Sequence, residues 1–151
     1  MHRPQRRHYV FAAVFLLVLA FLLTSFRVTV VHGDSMLPSF KNGQMVIVNR
    51  LSSLHNRWQR GDVVLIEAGN DLLIKRIRFL PGEVLSPEDA ALFLDVSQYF
   101  ESADQFGTLR VPADRVVILG DNLAVSDDSR RFGPLPLSSV YGYVMNAPPA
   151  R

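Results

Sequence analysis

The sequence predicts a mainly β fold, a compact barrel-like sheet domain carried behind a single N-terminal transmembrane helix. Two observations carry this. Residues 10–26, VFAAVFLLVLAFLLTSF, contain no charged side chain. After Arg27 the apolar runs become short and β-branched, with glycine and proline between them, the pattern of a sandwich or partly closed barrel. A chain of 151 residues supports one domain with its own core.

As a helix, residues 9–26 would extend roughly 27 Å, close to the ~30 Å hydrocarbon core of a bilayer. Arg27 can snorkel, which would let the helix run on to about Val31. The run is longer than the apolar region of a cleavable signal, and Thr24-Ser25-Phe26 is a poor cleavage site, so it reads as an uncleaved anchor. No polar face interrupts it, unlike a helix on the core of a soluble protein.

Charge orients the anchor. Arg3, Arg6 and Arg7 precede it with no acidic residue, which places residues 1–8 in the cytoplasm as a basic tail. Residues 9–31 form the anchor and an exit strand, and residues 32–151 the extracytoplasmic domain. That domain is nearly neutral, so the basic isoelectric point comes from the tail and marks no nucleic-acid surface. There is no cysteine, and the four histidines lack metal-ligand spacing.

The strands are read in order. VTVV is short and β-branched, and MVIVN follows the KNGQ turn. DVVLIE and DLLIKRI flank AGN, a hairpin signal. TLRV and RVVIL lie on either side of Pro112, and VYGYVM is the last strand. In SPEDAALFL, Ser86 caps a helical turn with Pro87 at its first position and Asp89 three residues after the serine. ALFLDV reads as a strand after it, SQYFESADQF as a surface loop and APPAR as a frayed end.

Three stretches can carry chemistry. In DLLIKRIRF, alternation puts Leu73, Lys75, Ile77 and Phe79 on one face, with Arg76 and Arg78 on the other. Lys75 is then either a snorkelling lysine or a desolvated one, whose pKa burial lowers toward that of a general base. Ser35, in the tight turn HGDSMLPSF, is either a turn hydroxyl or a nucleophile that such a lysine would activate. In GDNLAVSDDSRRFG, Asp128 and Arg130 are close enough to pair across a turn, and Ser126 can donate or accept a hydrogen bond.

In order behind the anchor, these stretches resemble the boxes of type I signal peptidases (leader peptidases), membrane-bound Ser–Lys peptidases of the S26 type. These enzymes remove signal peptides from exported preproteins. GDSMLPS is similar to the nucleophile box, which implies Ser35 as nucleophile. RGDVV resembles a structural box. KRIRFLPGE resembles the lysine box, which implies Lys75 as general base. GDNLAVSDDSR resembles the last, which implies that Ser126 orients Lys75 and that Asp128 and Arg130 form a bracing ion pair. Met36 and Ile77 are expected walls of the substrate pocket.

The sequence departs from the family in three places. Gly33 stands where some members have an oxyanion-binding serine, which leaves the oxyanion to the Ser35 backbone N–H. Phe79 replaces the usual glycine of the lysine box, and Gly43-Gln44 replaces a Gly-Asp. The short stretch between PGE and GDN implies a near-minimal catalytic domain.

The resemblance implies an endopeptidase acting through an acyl-enzyme, with no metal or organic cofactor. Its partners would be signal-peptide-bearing preproteins, the lipid bilayer and the neighbourhood of an export translocon. The implied location is a bacterial plasma membrane rather than a mitochondrial inner membrane. The alternatives are a tethered β domain that only binds such segments, weakened by Gly33 or Phe79, and a peptidase specialised for a conjugation, pilus or mitochondrial presequence substrate.

Overall fold

A computed structural model describes residues 5–52 and 57–149. Helix α1, Gln5–Ser25, is long and apolar enough to cross a membrane, and almost none of its span is covered by the rest of the chain. It stops at Ser25. From Phe26 the backbone pairs antiparallel with residues 45–49, so its amides and carbonyls are satisfied by a sheet and not by a further helical turn. Of the two expectations for residues 27–31, the strand holds and the extended helix does not.

Strands β1 (Phe26–Val30), β2 (Met45–Asn49), β3 (Val63–Ala68) and β4 (Asp71–Phe79) are followed by β7 (Arg115–Leu119), β8 (Leu135–Pro136) and β9 (Val140–Val144). They build one antiparallel sheet in the order β1-β2-β9-β3-β4-β7-β8. The sheet is strongly connected but not closed, with β1 and β8 at its edges. A separate pair joins β5 (Glu101–Ser102) to β6 (Leu109–Arg110).

The β3–β4 hairpin turns at Gly69-Asn70, with Gly69 at φ +64°, a conformation that costs glycine least. Ser86 caps the turn Pro87–Ala90, and its Oγ accepts from the Asp89 amide. The expected strand at ALFLDV is instead 3-10 helical over Ala91–Tyr99, two short pieces joined by a kink at Phe93. Phe93 and Val96 are buried and Leu94 is exposed, an apolar spacing of three that strand alternation cannot satisfy. The expected loop after it contains β5. The expected frayed end is tied down at Pro148, whose carbonyl accepts from Arg76; residues 150–151 lie outside the described ones.

Among the described residues, three apolar clusters fill the fold. Met36, Phe40, Val46, Val48 and Leu65 make the first, on one face of the sheet. Trp58, Val64, Ile66, Ile77 and Ile118 make the second. Phe79, Leu85, Phe93, Val96 and Val117 make the third, beneath the 3-10 helix. Alternation placed Phe79 with Ile77. A bulge in the β4–β7 ladder pairs Ile77 with Ile118 but Phe79 with Val117, so Phe79 joins the third cluster. Arg60 covers its ring at 4.6 Å.

Candidate active site

Ser35 lies in the connection between β1 and β2, ten positions after the last residue of α1. The connection is held from below and from the side. Met36 and Phe40 are fully buried in the first cluster, and the Phe40 amide donates to the Met36 carbonyl. The Asn122 amide donates to the Ser35 carbonyl at 2.9 Å, and Asn122 Nδ2 donates to the Asp34 carbonyl at 3.2 Å. Gly33, at φ +78°, makes the bend that a side-chain-bearing residue would strain.

Lys75 reaches this turn from β4, donating from Nζ to Ser35 Oγ at 2.6 Å. The residue is 4% exposed. Burial pulls its pKa below the ordinary lysine value, opposed by the negative charges of Asp128, Asp127 and Asp121. The outcome is a lysine with a weakened hold on its proton, in contact with a serine hydroxyl. The two lie in a cleft of about 320 Å³ whose walls include Val31, Met36, Leu65, Leu72 and Ile74.

Met36 lines this cleft. Ile77, the other expected wall, does not. It sits opposite Ile118 of β7 and inside the second cluster, whereas Lys75 lies past the end of the β4–β7 pairing and is left open to the cleft. Phe79, in the third cluster, is not a wall of the cleft either.

Asp128 and Arg130 pair through two bonds, Nε to Oδ1 at 2.9 Å and Nη2 to Oδ2 at 3.0 Å. Asp128 is fully buried. Burial pushes its carboxyl up, but Arg130, the Gly120 amide and the nearby Ser126 hydroxyl hold it below the usual carboxylate value. The Gly120 amide donates to Oδ2 at 3.0 Å, so the ion pair grips the turn that carries Asn122. Ser126 Oγ is buried and close enough to favour the Asp128 anion. Among the described residues it has no hydrogen-bond partner of good geometry, and no bond joins it to Lys75.

Sequence reasoning assigned no role to Arg76. It is buried, and its guanidinium binds Asp121, the carbonyls of Gly61 and Pro148, and Ser39 Oγ. Gly61 belongs to RGDVV, where its amide also donates to the Ile77 carbonyl. Burial raises and Arg76 and Ser39 lower the Asp121 pKa, with a net fall.

A serine held against a buried lysine whose pKa burial lowers, where β4 runs free of β7, defines a candidate serine hydrolase site. The chain belongs to the signal peptidase family, peptidase S26, whose model matches residues 6–146. It is similar to signal peptidase I V of Bacillus subtilis (strain 168), 31% identical over 78% of this chain and 82% of that one. It is also similar to the mitochondrial ATP-independent inner membrane protease subunit 1a of Arabidopsis thaliana, 37% identical over 76% of this chain and 65% of that one. A solved signal peptidase I from Enterococcus faecalis V583 overlaps 59% of this chain and 97% of its own, at a TM-score of 0.42 and 24% identity.

Proposed function

We propose that this protein is a membrane-anchored serine endopeptidase that removes signal peptides from exported preproteins, with Ser35 as nucleophile and Lys75 as general base. The observation that carries the reading is the 2.6 Å contact between Lys75 Nζ and Ser35 Oγ with Lys75 buried. Neutral Lys75 takes the hydroxyl proton as Ser35 attacks the scissile carbonyl, then returns it to the leaving amine. The resulting ester is hydrolysed by a water that Lys75 deprotonates. The Ser35 amide, which makes no hydrogen bond among the described residues, is the donor for the oxyanion. Ser126 acts as a positioning residue beside Lys75, braced through the Asp128–Arg130 pair.

The substrate binds in extended form. β7 pairs β4 only from Arg76 onward, so the β4 edge at residues 71–75 carries unpaired backbone groups beside Ser35. A strand laid there gains ladder hydrogen bonds, and the apolar cleft receives small side chains such as alanine. The site faces the membrane that α1 spans. Val28, Val30, Met45 and Ile47, cross-strand partners on β1 and β2, expose their apolar side chains together just after the helix. With residues 1–8 cytoplasmic, the β domain lies outside, and a bacterial plasma membrane is the setting this reading adopts. Phe79 lies outside the cleft, which removes one ground for a domain that binds without cleaving.

The test is turnover of a preprotein by the full chain in detergent, beside Ser35→Ala and Lys75→Ala variants. Loss in both supports the pair. Activity surviving in either variant sinks the assignment.

A further inference from the structure

A cavity of about 450 Å³ adjoins the Ser35–Lys75 cleft along β4, and the steps assigned to Ser35 and Lys75 do not use it. Leu72 and Ile74 line the cleft and Arg76 lines the cavity, and alternation puts all three on one face of the strand. The turn of Ser35 divides the two spaces. Ser35 and Met36 line the cleft, whereas Pro38 and Ser39 line the cavity.

The edge of β4 decides which half of a substrate goes where. Residues 71–75 can take a strand on this edge, and from Arg76 onward β7 covers it. An acyl half laid on residues 71–75 ends at Ser35. The leaving half must then run past Lys75 and off the edge. Arg76 and Arg78, both on the cavity wall, stand one and three residues beyond Lys75, roughly 3–10 Å along the strand. That is the reach of the first three residues after the scissile bond.

The wall offers such a segment apolar contact and no unpaired charge. Its three arginines are each neutralised, Arg60 by Glu83 at 2.8 Å, Arg76 by Asp121 at 2.7 Å and Arg78 by Asp89 at 3.0 Å. Leu92 and Leu123 also line it and are exposed, so an apolar occupant would bury them. Arg60 and Arg78 lie over the Phe79 ring, their Cζ atoms 4.6 Å and 5.6 Å from its centroid. Phe79 stands where the lysine box usually has a glycine, so this part of the wall rests on a departure of this chain.

We infer that the cavity is the subsite for the leaving half of the substrate and receives an apolar side chain from the first three residues after the scissile bond. Leu92 and Leu123 are its specificity-determining walls, and Phe79 is a positioning residue that holds Arg60 and Arg78 at its rim. The inference rests on the proposed peptidase reading. It adds no chemical step, because these residues act by binding alone.

The test uses the full chain in detergent and a preprotein series with one fixed signal half. The first three residues after the scissile bond carry leucine, serine or aspartate in turn. The wild type should favour leucine over serine by about tenfold in kcat/KM, the scale of a methylene or two in an apolar pocket. Leu92→Ser and Leu123→Ser should each shrink that ratio. Leu123→Arg should shift the preference to aspartate, a gain that a misfolded variant does not produce. Phe79→Leu keeps apolar bulk in the third cluster but removes the ring, and it should shrink the ratio too. A second series, varied only in the signal half, should give the same ratios in the wild type and every variant. A wild type that cleaves the whole first series equally, a leucine preference that survives both serine variants, or ratios that change equally in both series overturns the subsite and leaves the peptidase standing. An unchanged ratio in Phe79→Leu overturns the positioning role of that ring. A wild type that cleaves no preprotein overturns the peptidase reading, and this subsite with it.

Discussion

Arg76 and Asp121 form a two-bond ion pair, Nε to Oδ1 at 2.8 Å and Nη2 to Oδ2 at 2.7 Å, with both side chains largely buried. Asp121 directly precedes Asn122, whose amide holds the Ser35 carbonyl, so the pair joins the strand of Lys75 to the turn of Ser35. Asp121→Ala leaves a buried guanidinium without its anion, which should cost about 3–5 kcal/mol. Thermal unfolding should show that loss, and turnover should fall with it. Arg76→Lys should not rescue, because one ammonium cannot reach the carboxylate in a fork while also bonding the Gly61 carbonyl.

The rate should rise with pH along a limb that belongs to Lys75. In the proposed mechanism the free base is the active form, and burial lowers its pKa from the ordinary lysine value, so the limb should lie below that value. Asp127 opposes the shift from an exposed position, where its own ion pair with Arg131 stabilises little. Asp127→Asn removes a negative charge that favours the ammonium. The kcat/KM limb should therefore move to lower pH, more at low ionic strength than at high, with the melting temperature nearly unchanged.

Burying Lys75 costs stability, and a matched apolar side chain should recover it. Lys75→Met should abolish turnover and stabilise the fold by about 0.5–2 kcal/mol, the range of substitutions that relieve a strained active site. The sign follows from the lowered pKa. Between the folded and unfolded values the native state binds fewer protons, so wild-type stability rises with pH through that window. The advantage of the variant should be full below the folded pKa of Lys75 and vanish above the ordinary lysine value. Denaturant unfolding of both proteins across that range checks it, and an advantage that does not depend on pH would contradict it.

Local chemistry made much of this legible. An uncharged run announced α1, Gly69-Asn70 announced the β3–β4 hairpin, and Ser86-Pro87 announced a capped turn. Turn chemistry, alternation and short spacing made Ser35, Lys75 and the Asp128–Arg130 pair candidates and left the bland readings open; the order of the four boxes gave them their expected roles. What stayed hidden depends on distant partners. Arg76 and Asp121 are 45 positions apart, and nothing local to either predicts the other. The bulge that turns Phe79 away from Ile77 is set by how β7 lies against β4, and a single strand carries no mark of it. Ile77 follows the same rule: its face was read correctly as apolar, but its place opposite Ile118, outside the cleft of Ser35 and Lys75, is set by β7.

Gly120 is required for space. A Cβ added there would lie 2.5 Å from the Ser35 carbonyl oxygen and closer still to Ser126 Oγ. Its φ is not in the left-handed region, so the constraint is the approach of the last box to the nucleophile turn and not backbone strain. Gly120→Ala must push Ser35 or Ser126 outward, against an amide that Asp128 holds. Overpacking of this kind costs about 1–3 kcal/mol. Turnover should fall further than that stability loss explains, because one of the displaced atoms is the backbone oxygen of Ser35, whose hydroxyl meets Lys75. The discriminating measurement is kcat at a temperature where the variant remains folded. A folded Gly120→Ala protein with wild-type kcat would show that Ser126 and the Ser35 backbone tolerate displacement, and would remove the last box from the catalytic geometry.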